Sequence, residues 1–198
     1  MIAIVDYGMG NLKSVSKAFE EVGAEVLVTS DPNLIKKAKA LVLPGVGAFG
    51  RGMENLKRLN LLPSIYEAAR EKKPILGICL GLQLLFTESF EHGVHQGLDL
   101  VKGKVLKFEG VKIPHMGWNQ VRVKSKMFEG IPNPCFFYFA HSYYVVPEDS
   151  KVRVGITDYG ILFTSALEKD PLFGVQFHPE KSGKWGLKFL ENFCSYVG

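Results

Sequence analysis

The chain carries its longest apolar stretch, PILGICLGLQLLF, at residues 74–86. Its first part, Pro74 to Ile78, is a continuous apolar run typical of a β-strand buried on both faces. A helical run follows from Leu82 to Phe86, and Gly77-Ile78-Cys79-Leu80-Gly81 lies at the junction. A small residue two positions either side of Cys79 is what a sharp strand-to-helix turn requires. The stretch therefore predicts a nucleophile elbow at the edge of a sheet, with backbone N–H groups at the helix start facing a developing oxyanion.

Strand and helix patterns alternate upstream of this elbow. Continuous apolar runs predict strands at Ile2 to Val5, Glu25 to Thr29 and Ala40 to Leu43. Apolar residues at helical spacing predict helices at Asn11 to Val22, Asp31 to Ala38 and Leu61 to Lys73. Strand–helix alternation favours parallel pairing with right-handed crossovers, and hence helices on both faces of a sheet.

The second half of the chain has a different pattern, with short strands separated by turns. The predicted strands are Lys104 to Phe108, Gln120 to Val123, Phe136 to Ala140, Tyr143 to Val146, Val152 to Thr157, Leu162 to Ala166 and Leu172 to Phe177. An amphipathic helix from Lys184 to Tyr196 follows them. Together the two halves predict a three-layer α/β fold, with a mostly parallel central sheet, helices on both faces and an antiparallel extension.

Length and composition predict one globular domain over residues 1–198, because domains typically have about 100–200 residues. The net charge of +4 argues against a dedicated nucleic-acid binder or a polybasic membrane surface. The apolar stretch at 74–86 is shorter than the ~18 residues that a membrane span needs. Three cysteines without disulfide-like spacing favour a reducing, cytoplasmic location.

A cysteine nucleophile needs a base, and His178 is the best candidate. It follows the predicted strand at 172–177, and Glu180 could hold its imidazole in the working tautomer. Because the carboxyl ends of parallel strands share one edge, Cys79 and His178 are expected to lie close together. His141 also follows a strand but has no acidic neighbour. Two alternatives stay open at this point: Cys79 as a small core residue, and His178 as a solvated loop histidine.

A third segment, Pro44-Gly45-Val46-Gly47, also ends a strand, and its glycines would let the backbone approach a ligand closely. On its own it is equally consistent with a plain turn. No cofactor is predicted, because there is no P-loop and Lys13 stands where a dinucleotide fingerprint needs its third glycine. No metal site is predicted either, since His92 and His95 lack a third ligand.

Three segments together resemble the class I (triad) glutamine amidotransferases: LPGVGAF at 43–49, GICLGLQ at 77–83 and FHPEK at 177–181. Three more, DYGMGNL at 6–12, PHMGWN at 114–119 and FYFAHSY at 137–143, point to the branch that serves histidine biosynthesis. The resemblance runs nearly end to end. It implies a flavodoxin-like fold and the hydrolysis of L-glutamine through a cysteinyl thioester, without a cofactor.

The resemblance also implies roles for individual residues. Cys79 is the expected nucleophile, His178 the base and Glu180 its orienting carboxylate, while the backbone N–H groups of Val46 and Leu80 would bind the oxyanion. The expected glutamine contacts are Gly47, Gln83, Ser142 and Tyr143.

The resemblance further implies a partner that receives the ammonia released from glutamine. This partner is a (β/α)₈-barrel cyclase subunit that forms a heterodimer with the glutaminase. The expected interface residues are Asn11, Trp118, Asn119, Tyr138 and Lys181, although the aromatic residues could be ordinary packing and Lys181 a solvated charge. Other readings of the whole chain also stay open: a glutaminase for anthranilate, carbamoyl phosphate or purine synthesis, a cysteine hydrolase with a similar elbow, or a non-catalytic module.

Overall fold

A computed structural model describes residues 1–198, which form thirteen strands, six α-helices and three short 3₁₀ helices. The strands are β1 (Ile2–Val5), β2 (Val26–Thr29), β3 (Ala40–Leu43), β4 (Ile75–Ile78), β5 (Phe86–Ser89), β6 (His95–Gln96), β7 (Val101–Lys107), β8 (His115–Val123), β9 (Cys135–His141), β10 (Tyr143–Pro147), β11 (Arg153–Asp158), β12 (Leu162–Lys169) and β13 (Leu172–Val175). The α-helices are α1 (Leu12–Glu21), α2 (Pro32–Lys37), α3 (Phe49–Arg58), α4 (Leu62–Arg70), α5 (Leu80–Leu84) and α6 (Gly183–Val197), and the 3₁₀ helices are Lys126–Phe128, Ser150–Val152 and Pro179–Lys181.

One path of paired strands runs through the molecule in the order β2-β1-β3-β4-β13-β12-β10-β7-β5-β6. The strands from β2 to β13 pair in parallel, and from β13 onward most pairs are antiparallel. Off this path, β11 joins β12 to β8, and β8 pairs with β9 as a hairpin. The predicted fold class, a mostly parallel α/β sheet with an antiparallel extension, is confirmed.

Two hydrophobic cores cover the two faces of the sheet. Successive side chains of a strand point to opposite faces, so Ile2 and Ile4 of β1 enter one core while Ala3 and Val5 enter the other. Helices α1 and α6 cover the first core, and helices α3 and α4 cover the second. All four residues of β1 are buried, which explains their continuous apolar run.

Helix α3 and strands β5 and β6 escaped the sequence prediction. Helix α3 occupies a segment with Gly50 and Gly52, and glycine lowers helix propensity by about 1 kcal/mol relative to alanine. A distant carboxylate supports its start, since the Phe49 N–H donates to Glu91 Oε2 at 2.6 Å. The predicted helix ending at Phe86 was wrong at that end, because α5 stops at Leu84 and Phe86 begins β5. None of the helices combines the length and the apolar character needed to cross a bilayer.

Candidate active site

The turn between β4 and α5 forces Cys79 into a strained backbone conformation. Its φ of 54° and ψ of −106° lie in a region that residues with a Cβ rarely adopt, and such strain is common at functional sites. Glycine is required on both sides: a Cβ at Gly77 would lie 2.6 Å from the Leu82 nitrogen, and one at Gly81 would overlap the Leu43 carbonyl oxygen. The predicted elbow is therefore present, and it presents Cys79 at the carboxyl edge of the sheet.

Strand β13 brings His178 to the same edge. It pairs in parallel with β4, with Gly174 opposite Gly77 and Val175 opposite Ile78. The Cys79 N–H continues this pairing by donating to the Val175 carbonyl at 2.8 Å. The His178 N–H donates to the Tyr138 carbonyl at 2.8 Å, which fixes the backbone just beyond the strand.

His178 and Glu180 form a buried pair. Nδ1 of His178 lies 2.8 Å from Oε1 of Glu180, and the two side chains are only 3% and 4% exposed. Burial disfavours the charged imidazolium, but Cys79 and Glu180 together outweigh that penalty and raise the pKa of His178 to about 10. Nε2 of His178 is buried without a hydrogen-bond partner, so it is the ring nitrogen that remains available for proton transfer.

The surroundings of the Cys79 sulfur are polar, although the residue is nearly buried. The Gln176 side chain donates from Nε2 to Sγ at 3.6 Å, and the thiol faces the Ala140 carbonyl at 3.9 Å. Cys79 also lines a cavity of about 320 Å³. A small molecule in this cavity can therefore reach the residue, which argues against a purely structural cysteine.

The cavity gathers all six residues predicted to bind glutamine or its oxyanion. Its lining comprises Val46, Gly47, Ala48, Cys79, Leu80, Gln83, Glu91, Pro114, Ala140, His141, Ser142 and Tyr143. Gln83 is held firmly, because its Nε2 donates to the Tyr143 carbonyl and to Gln176 Oε1, both at 3.1 Å. A ligand that hydrogen-bonds to Gln83 consequently donates to its Oε1.

One predicted oxyanion donor is already occupied. The Leu80 N–H donates to the Gly45 carbonyl at 3.2 Å, so it is not free to meet a negative charge above Cys79. The Val46 N–H makes no hydrogen bond within the protein. The backbone of the Pro44–Gly47 loop thus lies against the elbow with a carbonyl, rather than an N–H, directed at Leu80.

His141 is excluded as the base by its hydrogen bonds. Its Nδ1 lies 2.8 Å from the Tyr143 carbonyl and its Nε2 lies 2.8 Å from Nδ1 of His115, so both nitrogens are engaged. Burial also lowers the pKa of His141 to about 3. His178 is left as the histidine beside Cys79 with an open nitrogen.

The residues predicted for a partner interface lie close to one another on the outside of this site. Trp118 is 56% exposed, and its ring meets that of Tyr138 edge-on at 6.2 Å. The Lys181 ammonium lies 5.9 Å from the centre of the Tyr138 ring. Asn11 caps helix α1 by accepting from the Ser14 N–H, and it borders the same small crevice as Lys181 and His178.

Asn119 differs from the other predicted interface residues because its side chain is tied inward. Its Nδ2 donates to the Asp158 carbonyl at 2.9 Å and lies 3.2 Å from Nε2 of His115. The structure therefore places Asn119 beneath the exposed face of the β8–β9 hairpin, in contact with the buried histidine.

The family model for class-I glutamine amidotransferases matches residues 3–196, almost the whole chain. The chain belongs to the class-I glutamine amidotransferase family.

Several relatives of this amidotransferase share about half of its sequence. It is 56% identical to "Imidazole glycerol phosphate synthase subunit HisH" of Aquifex aeolicus, over 96% of this chain and 94% of the relative. A protein of the same name from Archaeoglobus fulgidus is 51% identical, over 100% of this chain and 99% of the relative. These likenesses leave the unrelated cysteine hydrolase without support.

Solved structures share the fold of this amidotransferase at much lower identity. PurLQS from Thermotoga maritima superposes with a TM-score of 0.77 at 21% identity, over 100% of this chain and 98% of that one. A glutamine amidotransferase from the same organism superposes with a TM-score of 0.67 at 18% identity, over 90% of this chain and 75% of that one. At this level the likeness concerns the fold alone.

Two residues of the amidotransferase site were missed by the sequence analysis. Glu91 is the only acidic side chain in the cavity lining, and Gln176 is fully buried beside Cys79. Gln176 lies two residues before His178, so a polar residue within an apolar strand end could have singled it out. Glu91 had no comparable pattern, because it lies in a loop whose position depends on the folded sheet.

Proposed function

We propose that this chain is the glutaminase subunit of an imidazole glycerol phosphate synthase. It hydrolyses L-glutamine to glutamate and ammonia, and it passes the ammonia to a cyclase subunit. That partner makes imidazole glycerol phosphate and aminoimidazole carboxamide ribonucleotide in histidine biosynthesis. The observation that carries the proposal is the convergence of Cys79 with the His178–Glu180 pair at neighbouring strand ends, beside a cavity of amino-acid size.

In the first half of the reaction, the Cys79 sulfur attacks the side-chain amide carbon of glutamine. The thiol proton resides on His178, because its pKa of about 10 favours the imidazolium at neutral pH, and Glu180 stabilises this charge through the 2.8 Å contact at Nδ1. His178 then donates a proton to the leaving nitrogen. The carbon–nitrogen bond breaks, ammonia leaves, and a γ-glutamyl thioester remains on Cys79.

In the second half, water replaces ammonia. His178 removes a proton from the water as it attacks the thioester carbonyl, and then returns a proton to the departing sulfur. Glutamate leaves and free Cys79 is restored. Beyond glutamine and water, no other group is needed to balance either half.

Glu91 binds the α-ammonium group of the substrate glutamine. It contributes the only carboxylate of the cavity lining, and an α-ammonium group is the part of glutamine that a carboxylate attracts. Glu91 is itself held by the Phe49 N–H at the start of α3, which fixes its position. Gly47, Gln83, Ser142 and Tyr143 form the remaining contacts of the bound glutamine.

The oxyanion requires a change in the Pro44–Gly47 loop. The Gly45 carbonyl accepts the hydrogen bond of the Leu80 N–H, and its oxygen would repel a negative charge above Cys79. Turning this peptide would free the Leu80 N–H and bring the Val46 N–H toward the same point. One such donor is worth roughly 2.7–4 kcal/mol of activation free energy, so this rearrangement acts as a switch.

The partner, a (β/α)₈-barrel cyclase subunit, docks on the exposed face that carries Trp118, Tyr138 and Lys181, with Asn11 and Asn119 at its edge. A contact at Asn11 is well placed to act on the loop, because Gly10 lies so near Gly45 that a Cβ there would be 3.1 Å from the Gly45 Cα. The chain acts as one domain in the cytoplasm, where the three cysteines stay reduced.

The decisive experiment replaces Cys79→Ala in the complex with the cyclase subunit. Only glutamine hydrolysis needs the sulfur, so glutamine-dependent product formation should fall to background while product formation from added ammonia stays near that of the unaltered complex. Cys194→Ala serves as the control, because that free cysteine lies on α6 and outside the cavity lining. Equal loss of both activities in Cys79→Ala would contradict the proposed division of labour.

A further inference from the structure

A pair of buried histidines lies next to the cavity and has no part in the thioester chemistry. His115 and His141 face each other across the β8–β9 hairpin, with Nδ1 of His115 2.8 Å from Nε2 of His141. Aromatic rings enclose the pair, and the His115 ring stacks between Tyr159 and Phe139 at 4.0 and 4.7 Å. Two polar rings in such an apolar setting must satisfy each other's hydrogen bonds.

The hydrogen-bond partners fix the proton positions on both rings. The Tyr143 carbonyl can only accept, so Nδ1 of His141 carries a proton. Burial lowers the pKa of His141 to about 3 and that of His115 to about 4, so both rings are neutral at pH 7. Nε2 of His141 is therefore an acceptor, and His115 must donate to it from Nδ1. This leaves Nε2 of His115 as an acceptor in turn.

Asn119 supplies the donor that Nε2 of His115 requires. Its Nδ2 lies 3.2 Å from that nitrogen and donates to the Asp158 carbonyl at 2.9 Å. Its Oδ1 accepts from the Gln120 N–H at 2.7 Å, so the two ends of the amide cannot be exchanged. Every hydrogen bond from Asn119 to the Tyr143 carbonyl thus points in the same direction.

The carbonyl at the end of this chain belongs to the cavity wall. Gln83 donates to it from the other side, and Gln83 also binds Gln176, whose amide donates to the Cys79 sulfur. His141, Tyr143 and Gln83 all line the cavity. The Tyr143 carbonyl therefore joins the histidine pair to the amides that surround the nucleophile.

We propose that Asn119, His115 and His141 are positioning residues for glutamine hydrolysis. They form a one-directional hydrogen-bond chain that fixes the Tyr143 carbonyl, and with it the Ser142–Tyr143 backbone and the Gln83 side chain. This role rests on the proposed glutaminase function, but the proton positions on which it depends do not. Breaking the chain weakens glutamine binding more than it slows the chemical step, because the nucleophile and the base stay in place.

The first test determines the tautomers by NMR of the full chain with ¹⁵N-labelled histidine. In the unaltered protein near pH 7, His115 and His141 should both carry their proton on Nδ1. Asn119→Asp replaces the donor by an acceptor of the same shape, so the proton of His115 should move from Nδ1 to Nε2, which ends its donation to His141. An Nε2 proton on either ring of the unaltered protein would contradict the proposed hydrogen-bond chain. An Nε2 of His115 that stays unprotonated in Asn119→Asp would contradict it as well.

The second test uses His115→Phe in the complex with the cyclase subunit. The variant keeps a ring between Tyr159 and Phe139 but cannot donate to His141, and loss of one hydrogen bond predicts a KM for glutamine about 5- to 10-fold higher, with kcat changed less than 2-fold. Tyr159→Phe is the control, since it retains the stacked ring and loses only the hydrogen bond to the Lys112 carbonyl. Its KM should stay within 2-fold of the original.

The two tests separate the possible failures. An unchanged KM in His115→Phe would reject the positioning role even with the expected tautomers. If His115→Phe does not fold, the KM of the folded Asn119→Asp variant at saturating partner decides the point, and it too should rise. A complex of unaltered subunits that releases no glutamate would reject the proposed function instead. The tautomers would still decide whether the hydrogen-bond chain from Asn119 to the Tyr143 carbonyl exists.

Discussion

Glu180 determines how His178 holds its proton. The carboxylate and the imidazole are both nearly buried, so little solvent screens their attraction. Burial alone would lower the pKa of His178, but the interactions with Cys79 and Glu180 outweigh it. They raise this pKa to about 10, against an ordinary histidine pKa of about 6.5. A histidine whose pKa is raised on folding stabilises the folded state. The full stabilisation is present at pH values below the ordinary histidine pKa, and it disappears as the pH rises through about 10.

Replacement of Glu180→Gln should therefore lower both the pKa of His178 and the stability at neutral pH. Loss of a hydrogen bond to a charged group predicts a decrease of about 1.5–3 kcal/mol in the free energy of unfolding at pH 6–7. The decrease should shrink as the pH rises through 10. Denaturant unfolding at several pH values, with NMR titration of His178, measures both effects.

A matched control for this prediction is Glu67→Gln, which removes a partly exposed carboxylate paired with Lys36. The pKa of His178 should not move in this variant, because only burial, Cys79 and Glu180 shift it. A His178 pKa that is equally high in Glu180→Gln would contradict the assigned role of the carboxylate.

At the residue scale, the sequence allowed the meeting of Cys79 with the His178–Glu180 pair to be predicted, because both segments follow strand patterns that end at one edge of the sheet. It could not show that the Leu80 N–H is occupied by Gly45, since that depends on the orientation of a single peptide. Glu91 was missed for a similar reason, because its position depends on which loops meet after folding. Gln176, by contrast, had a local signal as a polar residue at the end of an apolar strand.

The elbow is the element whose geometry tolerates least change. Gly81→Ala would drive a methyl group into the Leu43 carbonyl of the neighbouring strand, and neither the strand nor the turn can move without breaking the sheet. We expect a loss of more than about 3 kcal/mol in unfolding free energy, typical of severe overpacking. Chemical denaturation measures this, or soluble expression if the variant does not fold.

Gly52→Ala provides the comparison within a helix. There a Cβ would meet only leucine methyl groups at 3.3 Å and beyond, and alanine is the better helix former. Stability should change by less than about 1 kcal/mol. If both variants lost stability equally, the steric argument for the elbow would be wrong.

At the element scale, the predictions succeeded where periodicity was strong and failed where contacts from elsewhere decided the structure. Strands β1, β3 and β4 are buried on both faces, so their apolar runs identified them. Helix α3 contains two glycines and begins with a hydrogen bond to Glu91, forty-two positions away in the sequence. No local pattern could reveal that support.

The β8–β9 hairpin gives the whole molecule an exposed apolar face. Met116, Trp118 and Phe136 lie on this hairpin and are each at least half exposed. Exposed apolar residues that cluster in this way are typical of protein–protein interfaces, and tryptophan is enriched among the residues that dominate binding energy. The partner surface proposed above coincides with this face.

Trp118→Ala should therefore weaken the complex far more than it weakens the fold. Because the side chain is 56% exposed, the change in unfolding free energy should stay below about 1 kcal/mol, whereas affinity for the cyclase subunit should fall at least about 30-fold, equivalent to 2 kcal/mol. Titration calorimetry and denaturation measure the two quantities.

Tyr66→Ala is the control for that prediction, since Tyr66 is a 38% exposed aromatic on α4, a helix of the other core. It should bind the partner normally. Unchanged affinity in Trp118→Ala, or a comparable loss in Tyr66→Ala, would move the interface away from this face.

Strand β13 lies between β4 and β12, although it follows β4 by half the chain. The ribosome synthesises the elbow segment early, but His178 and Glu180 reach it only once β13 has been synthesised and inserted beside β4. Domains generally fold as units while translation proceeds at about 5–20 residues per second. We therefore expect unfinished or truncated chains, which lack the His178–Glu180 pair, to hydrolyse no glutamine until β13 is inserted.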